Sequence, residues 1–170
     1  MSKKKYVITS LTLGIIAASS AALIALTNLA TAKAIAENEQ KKIVAGIQSI
    51  FSECDSYEEQ ELVGSYKYVL SAYKVMNSSN AELGYAFRTS GSNQYGKITL
   101  IVGYENATSI AFKGVSVVVD EQTYASTLED NYIPTLPDGL EDVNCGATYG
   151  AKLVREMVKE AGEAAEEIWN

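Results

Sequence analysis
Apolar positions along this chain change their rhythm twice. From Tyr6 to Ala32 there are 27 residues without a charge, among them Val7, Ile8, Leu11, Leu13, Ile15, Ile16, Leu23, Ile24, Leu26 and Leu29. About 20 such residues suffice for a helix through a bilayer, so the run predicts a transmembrane segment. Residues 33–51 keep a broadly helical spacing in Ile35, Ile43, Ile47, Ile50 and Phe51. That stripe is thin, and predicts a juxtamembrane helix over residues 33–52 that continues the first. Ser52 to Glu61 is polar and acidic, and reads as the boundary to a globular domain at residues 53–170.

Beyond the boundary the period becomes that of strands. Tyr66 to Met76 is rich in Tyr and Val, meets a turn at Asn77-Ser78-Ser79-Asn80, and is followed by Leu83 to Arg88. The two runs predict a hairpin. Ile98, Leu100 and Val102 alternate with Thr99 and Ile101, the pattern of a half-buried strand, and Glu105-Asn106-Ala107 turns the chain into an apolar strand over Ser109 to Val119. Residues 120–145 show little pattern, with Pro134, Pro137 and Gly139 as breakers. A loop of that length is uncommon in a compact domain unless it is functional. Tyr149 to Trp169 is an amphipathic helix, with Leu153, Val154, Met157, Val158, Ala161, Ala165, Ile168 and Trp169 inward, and Lys152, Arg155, Lys159, Glu163 and Glu166 outward. The expected fold class is therefore α+β: an N-terminal transmembrane helix, then an antiparallel sheet packed by a C-terminal helix.

Charge orients this plan. Residues 1–52 carry six Lys and two Glu, net +4, whereas residues 53–170 carry net −11. The cluster Lys3-Lys4-Lys5 should stay in the cytoplasm and send the C-terminal domain out. A cleaved signal peptide is the rival, since Ala30-Thr31-Ala32 fits a small-residue cleavage site. Both readings place residues 33–170 outside the cytoplasm, and the length of the apolar run favours a retained anchor in the lipid bilayer. An acidic body does not suit a nucleic-acid binder, whose affinity comes mainly from Lys and Arg. The chain has no histidine, which removes Ser-His-Asp and Cys-His nucleophile systems, histidine zinc sites and histidine-ligated haem. Two cysteines, Cys54 and Cys145, are too few and too distant for a thiolate metal site; they are either two partly buried thiols or a pair. Asp120, Glu121, Glu129, Asp130, Asp138, Glu141 and Asp142 lack EF-hand spacing and read as a solvated acidic loop.

The strongest local signal is Asp142-Val143-Asn144-Cys145-Gly146-Ala147-Thr148, which ends the irregular stretch and opens the last helix. Gly146 and Ala147 leave little bulk around the Thr148 hydroxyl. A hydroxyl at a helix start meets free backbone N–H groups and a dipole that favour a phosphate. Taken locally, Thr148 reads first as a helix cap with Gly146 as a turn residue.

Residues 142–148 resemble the flavinylation motif of the FMN-binding domain family found in the G subunit of the Rnf electron-transport complex. The C subunit of the sodium-pumping NADH:quinone reductase shares that motif. Further points of likeness are Ile35-Ala36-Glu37-Asn38-Glu39 after the apolar run, Gly84-Tyr85-Ala86-Phe87, Tyr95-Gly96-Lys97-Ile98 and Val102-Gly103. The resemblance implies FMN bound covalently to Thr148 as a phosphodiester, attached by a flavin transferase. It further implies Gly146 and Ala147 as close-approach positions, Asn144 and Cys145 in the motif, and Gln122 and Thr123 in the loop beside the flavin. The implied function is electron transfer as a subunit of an ion-translocating complex, with the other Rnf-type subunits as partners and no stand-alone catalytic site. A free-standing extracytoplasmic carrier and an anchored binding module without flavin are the alternatives. The chain departs from the family pattern at Cys145, where Ser or Thr is usual, and at Gly150, where a second Ser or Thr often follows. Of the family's Glu-Thr-Pro-Gly loop, Gln122-Thr123-Tyr124-Ala125 keeps only the Thr. Tyr124 and Tyr149 are candidates to stack on the flavin ring. Lys152 and Arg155 are either solvated helix-face cations or partners for a phosphate charge.

Overall fold
A computed structural model describes residues 3–106, 109–138 and 146–169. The chain divides into two compact units, Met1–Lys41 and Lys42–Asn170.

The first unit is helical. Helix α1 runs over Lys3–Ile50 without a break, so its last turns belong to the second unit. Its apolar side chains stand open from Tyr6 to Ile35. Polar groups in this stretch are satisfied within the helix. The Thr12 hydroxyl donates to the Ile8 carbonyl at 2.9 Å, Thr27 to Leu23 at 2.8 Å and Thr31 to Thr27 at 2.9 Å. A helix whose backbone and hydroxyls bond internally leaves few polar groups to be desolvated in hydrocarbon. Among the described residues this is the one helix long and apolar enough to cross a membrane, and it fits a single-pass membrane protein.

The second unit is an antiparallel meander of five strands in the order β1-β2-β3-β4-β5. The strands are β1 (Ser56–Gln60), β2 (Val69–Met76), β3 (Glu82–Asn93), β4 (Gly96–Asn106) and β5 (Ile110–Asp120). The expected hairpin is β2–β3. Its turn is held by the Asn77 side chain, whose Oδ1 accepts from the Ser79 and Ala81 N–H groups at 2.9 Å each. Helix α2 (Ala125–Asn131), a 3₁₀ turn at Ile133–Thr135 and the long helix α3 (Thr148–Trp169) complete the domain.

Both faces of the sheet are covered. On one, Tyr85, Phe87, Leu100, Val102 and Tyr104 pack with Leu153, Val154, Met157, Val158 and Ala161 of α3. Tyr104 anchors that contact, donating to the Val158 carbonyl at 2.9 Å. On the other, Tyr73, Val75, Ala86, Ile101 and Val118 pack with Ile43, Ile47 and Phe51. Each fully buried aliphatic side chain contributes about 1.5–3 kcal/mol. The fold class read from sequence is the one observed, an α+β domain behind a long apolar helix.

Three local expectations change. The segment Ser52–Glu61, read as a polar boundary, contains β1. This edge strand is Ser-Tyr-Glu-Glu-Gln, and its one aromatic, Tyr57, meets Tyr73 edge-on at 5.8 Å. Strand β4 was expected to be half-buried but is buried on both faces, because the end of α1 covers Ile101 while α3 covers Leu100 and Val102. Residues 120–145, read as irregular, hold α2 and the 3₁₀ turn, two elements too short to show a period.

Candidate functional site
Helix α3 begins where the chain leaves a left-handed residue. Gly146 has φ +84°, a conformation that a side chain disfavours. The Ala147 carbonyl then accepts the first helical bond, from the Ala151 N–H at 3.0 Å. Ala147 is therefore the N-cap and Thr148 the first helical residue. This separates the two local readings of Thr148. Alanine has no side-chain acceptor for the N–H groups of the first turn, and the Thr148 hydroxyl does not stand in the capping position. Among the described residues it has no hydrogen-bond partner.

Thr148 is half-buried and faces a cavity of about 230 Å³. The helix start supplies one wall, Gly146 to Gly150; Gln122, Tyr124 and Leu128 supply a second, and Tyr95 completes it. Three elements are brought together here by specific bonds. Asp120, the last residue of β5, accepts from the Gln122 N–H through Oδ1 at 2.8 Å. The Gln122 amide nitrogen donates to the Gly96 carbonyl at 2.5 Å. Gly96 has φ +139°, and a Cβ there would lie 2.2 Å from the Glu121 carbonyl oxygen. Only glycine lets the β3–β4 turn approach the chain leaving β5 so closely.

Electrostatics at the site are set by burial more than by formal charge. Asp120 has a second carboxylate oxygen, Oδ2, that is buried without a hydrogen-bond partner among the described residues. Burial pushes its carboxyl above the usual range, and the bond from the Gln122 N–H opposes this. The α3 start, where a helix carries N–H groups without a helical partner, lines the same cavity as Gln122, whose amide nitrogen is bonded to the Gly96 carbonyl and whose Oε1 lies toward Gly150.

The sequence-predicted residues separate into three groups. Thr148, Gly146, Ala147 and Gln122 line one cavity although they come from two distant stretches of chain. Thr123 is exposed and is not part of the cavity wall. Asn144 and Cys145 lie outside the described residues, as do Glu141, Asp142 and the pairing of Cys145 with Cys54. Cys54 itself is half-buried and donates to the Ser56 carbonyl at 3.7 Å. Lys152 is exposed and Arg155 half-buried, and neither lines the cavity.

Two contributors were not foreseen. Leu128 sits on α2, in the stretch without visible period, and closes the cavity above Gly150. A Cβ at Gly150 would meet the Leu128 Cδ2 at 3.1 Å and the Gln122 Oε1 at 3.4 Å. Leu128 therefore accounts for a glycine where the family pattern often has Ser or Thr. Asn93 is the other. Its Oδ1 accepts from the Tyr95 N–H at 2.8 Å, while its Nδ2 donates to the Tyr149 carbonyl at 3.3 Å. An Asn before a two-residue turn was visible in the sequence; its second bond, across 56 residues, was not.

Comparison with known proteins bears on the other end of the chain. Residues 1–50 match the family described as the RnfG N-terminal region. The N-terminal region of the chain is thus of the RnfG type. The match covers α1 in full and stops at Ile50, before the sheet. The likeness to RnfG thus rests on the helix, while the domain with Thr148 is described by its own geometry. No curated protein matches the chain.

Proposed function
We propose that this protein is a membrane-anchored electron carrier in an Rnf-type ion-translocating oxidoreductase complex, with FMN bonded to Thr148 through a phosphodiester. The observation that carries the reading is the position of Thr148. It is the first residue of α3, is not its N-cap, and lines one cavity together with Gln122. A phosphate ester on its hydroxyl oxygen would stand at a helix N-terminus, where donors and dipole favour negative charge. The helix start suits the phosphate, and Leu128 with Tyr95, Tyr124 and Tyr149 suits the apolar body of a flavin. When bound, FMN passes one or two electrons, and the protein contributes position and electrostatics. Covalent attachment keeps the cofactor with its carrier outside the cytoplasm, where a dissociated flavin would be lost. The RnfG-type N-terminal region favours a complex subunit, with other Rnf subunits as partners, over a free-standing carrier.

The test is substitution of the attachment atom. Co-expressed with a flavin transferase, the full chain should show a flavin band that survives denaturing electrophoresis. Its mass should rise by FMN less one water, mapped to the peptide around Thr148. Thr148→Val removes the hydroxyl at nearly constant shape and should fold with the band abolished. Since Thr148 is not the N-cap, the variant should remain within about 1 kcal/mol of wild-type stability. A folded valine variant that still carries covalent flavin would falsify the assignment. A wild type that never loads would leave the anchored module without flavin as the reading.

A further inference from the structure
The two edges of the sheet are built differently. At one edge β1 has 5 residues, and its Glu58 and Glu59 stand exposed. A short, charged edge strand resists pairing with another chain. At the other edge β5 has 11 residues and is apolar along most of its length. Its single cation, Lys113, is tied to Glu105 at 2.6 Å. Phe112, Val115 and Val117 pack against the core and are still only half-buried.

The ladder shows where the β5 backbone points. Successive residues of an antiparallel strand turn their N–H and C=O groups to opposite neighbours. The Lys97 carbonyl accepts from the Glu121 N–H at 2.9 Å, and β4 pairs with β3 without a register shift, so the odd-numbered residues of β4 bond toward β5. Ile101 and Gly103 lie opposite Ser116 and Gly114, which therefore bond to β4. Val115 and Val117, opposite Val102 and Leu100, turn their N–H and C=O groups away from the sheet. Among the described residues no backbone or side-chain group bonds to that outward row.

We propose that the edge of β5 around Val115 and Val117 pairs with an extended segment of another protein, which adds a strand to the sheet and carries Lys or Arg where it passes Asp120 and Glu121. A row of N–H and C=O groups at strand spacing is matched by another strand, and the half-buried side chains beside it give apolar positions for alternate residues of the segment. Charge chooses between occupants. A second copy would bring one domain of net −11 against another, and its β5 would offer Asp120 and Glu121 only Lys113, which is already bonded to Glu105. A basic segment meets the acidic end without that repulsion. Neither Thr148 nor a flavin takes part in this contact.

The test is amide hydrogen exchange, followed by mass spectrometry, on two preparations of the full chain in mild detergent. One is the chain produced alone; the other is the tagged chain isolated with its partners from the membranes of its native host. Exchange over residues 110–120 should slow at least tenfold in the second preparation, with no change over β1. Equal exchange in both overturns the proposal. Slow exchange in the chain alone also overturns it: loss of protection on dilution would assign the edge to a second copy, and protection at every concentration to a segment of the chain itself. Val117→Pro removes an outward N–H, which an edge strand tolerates, so it should fold and lose the added protection. Ser116→Pro removes a bond to β4 and should melt lower than Val117→Pro; the reverse order would overturn the assignment of the outward row. Val115→Pro repeats the measurement if Val117→Pro does not fold. Glu121→Lys reverses an exposed charge and should lower the protection several-fold, and full protection in that variant overturns the basic partner.

Discussion
Asp120 shows how one residue ties stability to the geometry of the site. It holds the Gln122 N–H through one oxygen, and the other is buried without a partner among the described residues; burial raises its carboxyl above the ordinary value. A carboxyl whose pKa is higher folded than unfolded binds its proton more tightly in the native state. Its ionisation therefore destabilises the fold. The penalty is absent below the unfolded pKa and is complete above the raised folded one. Asp120→Asn keeps the acceptor for Gln122 and removes the charge. It should raise the melting temperature at about pH 7 and raise it less at about pH 4, toward which the wild-type carboxyl takes up its proton in the folded state. A gain of equal size at both pH values would show that charge burial is not the cause. Gly146 and Gly96 act at the same scale by their backbone conformation, the first opening α3 and the second admitting Glu121 and Gln122.

Among the elements, α3 does most to join the domain, and it does so on two sides. Its apolar side fills the core against β2, β3 and β4, as the spacing of Leu153, Val154, Met157 and Val158 predicts. Part of its polar side is bonded to protein rather than water. Glu160 accepts from the Lys67 N–H and the Tyr68 N–H at 2.6 Å each, Glu156 accepts from the Tyr68 hydroxyl, and Glu167 from the Tyr66 hydroxyl. Burial, and then the bond to Glu167, push Tyr66 up to about 12, so its hydroxyl remains a donor through the physiological range. These carboxylates hold the β1–β2 connection, residues 61–68, in place of the strand expected to begin at Tyr66. Glu160→Ala strips two backbone N–H groups of their acceptor and should lower stability by about 1–3 kcal/mol in thermal or urea unfolding. Protease cleavage within residues 61–68 should rise with it. A variant as stable and as resistant as wild type would mean that water replaces the carboxylate without loss.

At the scale of the whole molecule, the long apolar helix and the folded domain have opposite relations to solvent. The stretch from Tyr6 to Ile35 exposes large apolar side chains, while the domain buries Ile43 and Ile47 of the same helix and Phe51 just after it. The basic cluster before Tyr6 and the acidic domain predict that the N-terminus stays in the cytoplasm and the domain lies outside. Protease added to intact cells should then digest residues 53–170, and the mature protein should still begin near Met1. A mature N-terminus at Lys33 would replace the retained anchor with a cleaved signal sequence. A domain protected in intact cells and cut only after lysis would reverse the orientation.

Periodicity by itself determined the long helix, the positions of strands β2 to β5 and the inner face of α3, because each is long enough to repeat its pattern several times. Gly146-Ala147-Thr148 was legible as a special helix start because small residues before a hydroxyl are a local property of the chain. Only the tertiary structure decided that Ala147, not Thr148, is the cap, since that depends on which carbonyl the Ala151 N–H reaches. β1 stayed hidden because an edge strand with one face in water needs few apolar residues, and α2 because 7 residues hold barely two turns. The double burial of β4 depends on the end of α1 packing against it, a contact with no signature in either segment. The cavity is tertiary in the same sense: Gln122, Tyr95 and Thr148 become neighbours through the Gly96 turn and the Asn93 bridge, and pairings across such separations leave no period to read.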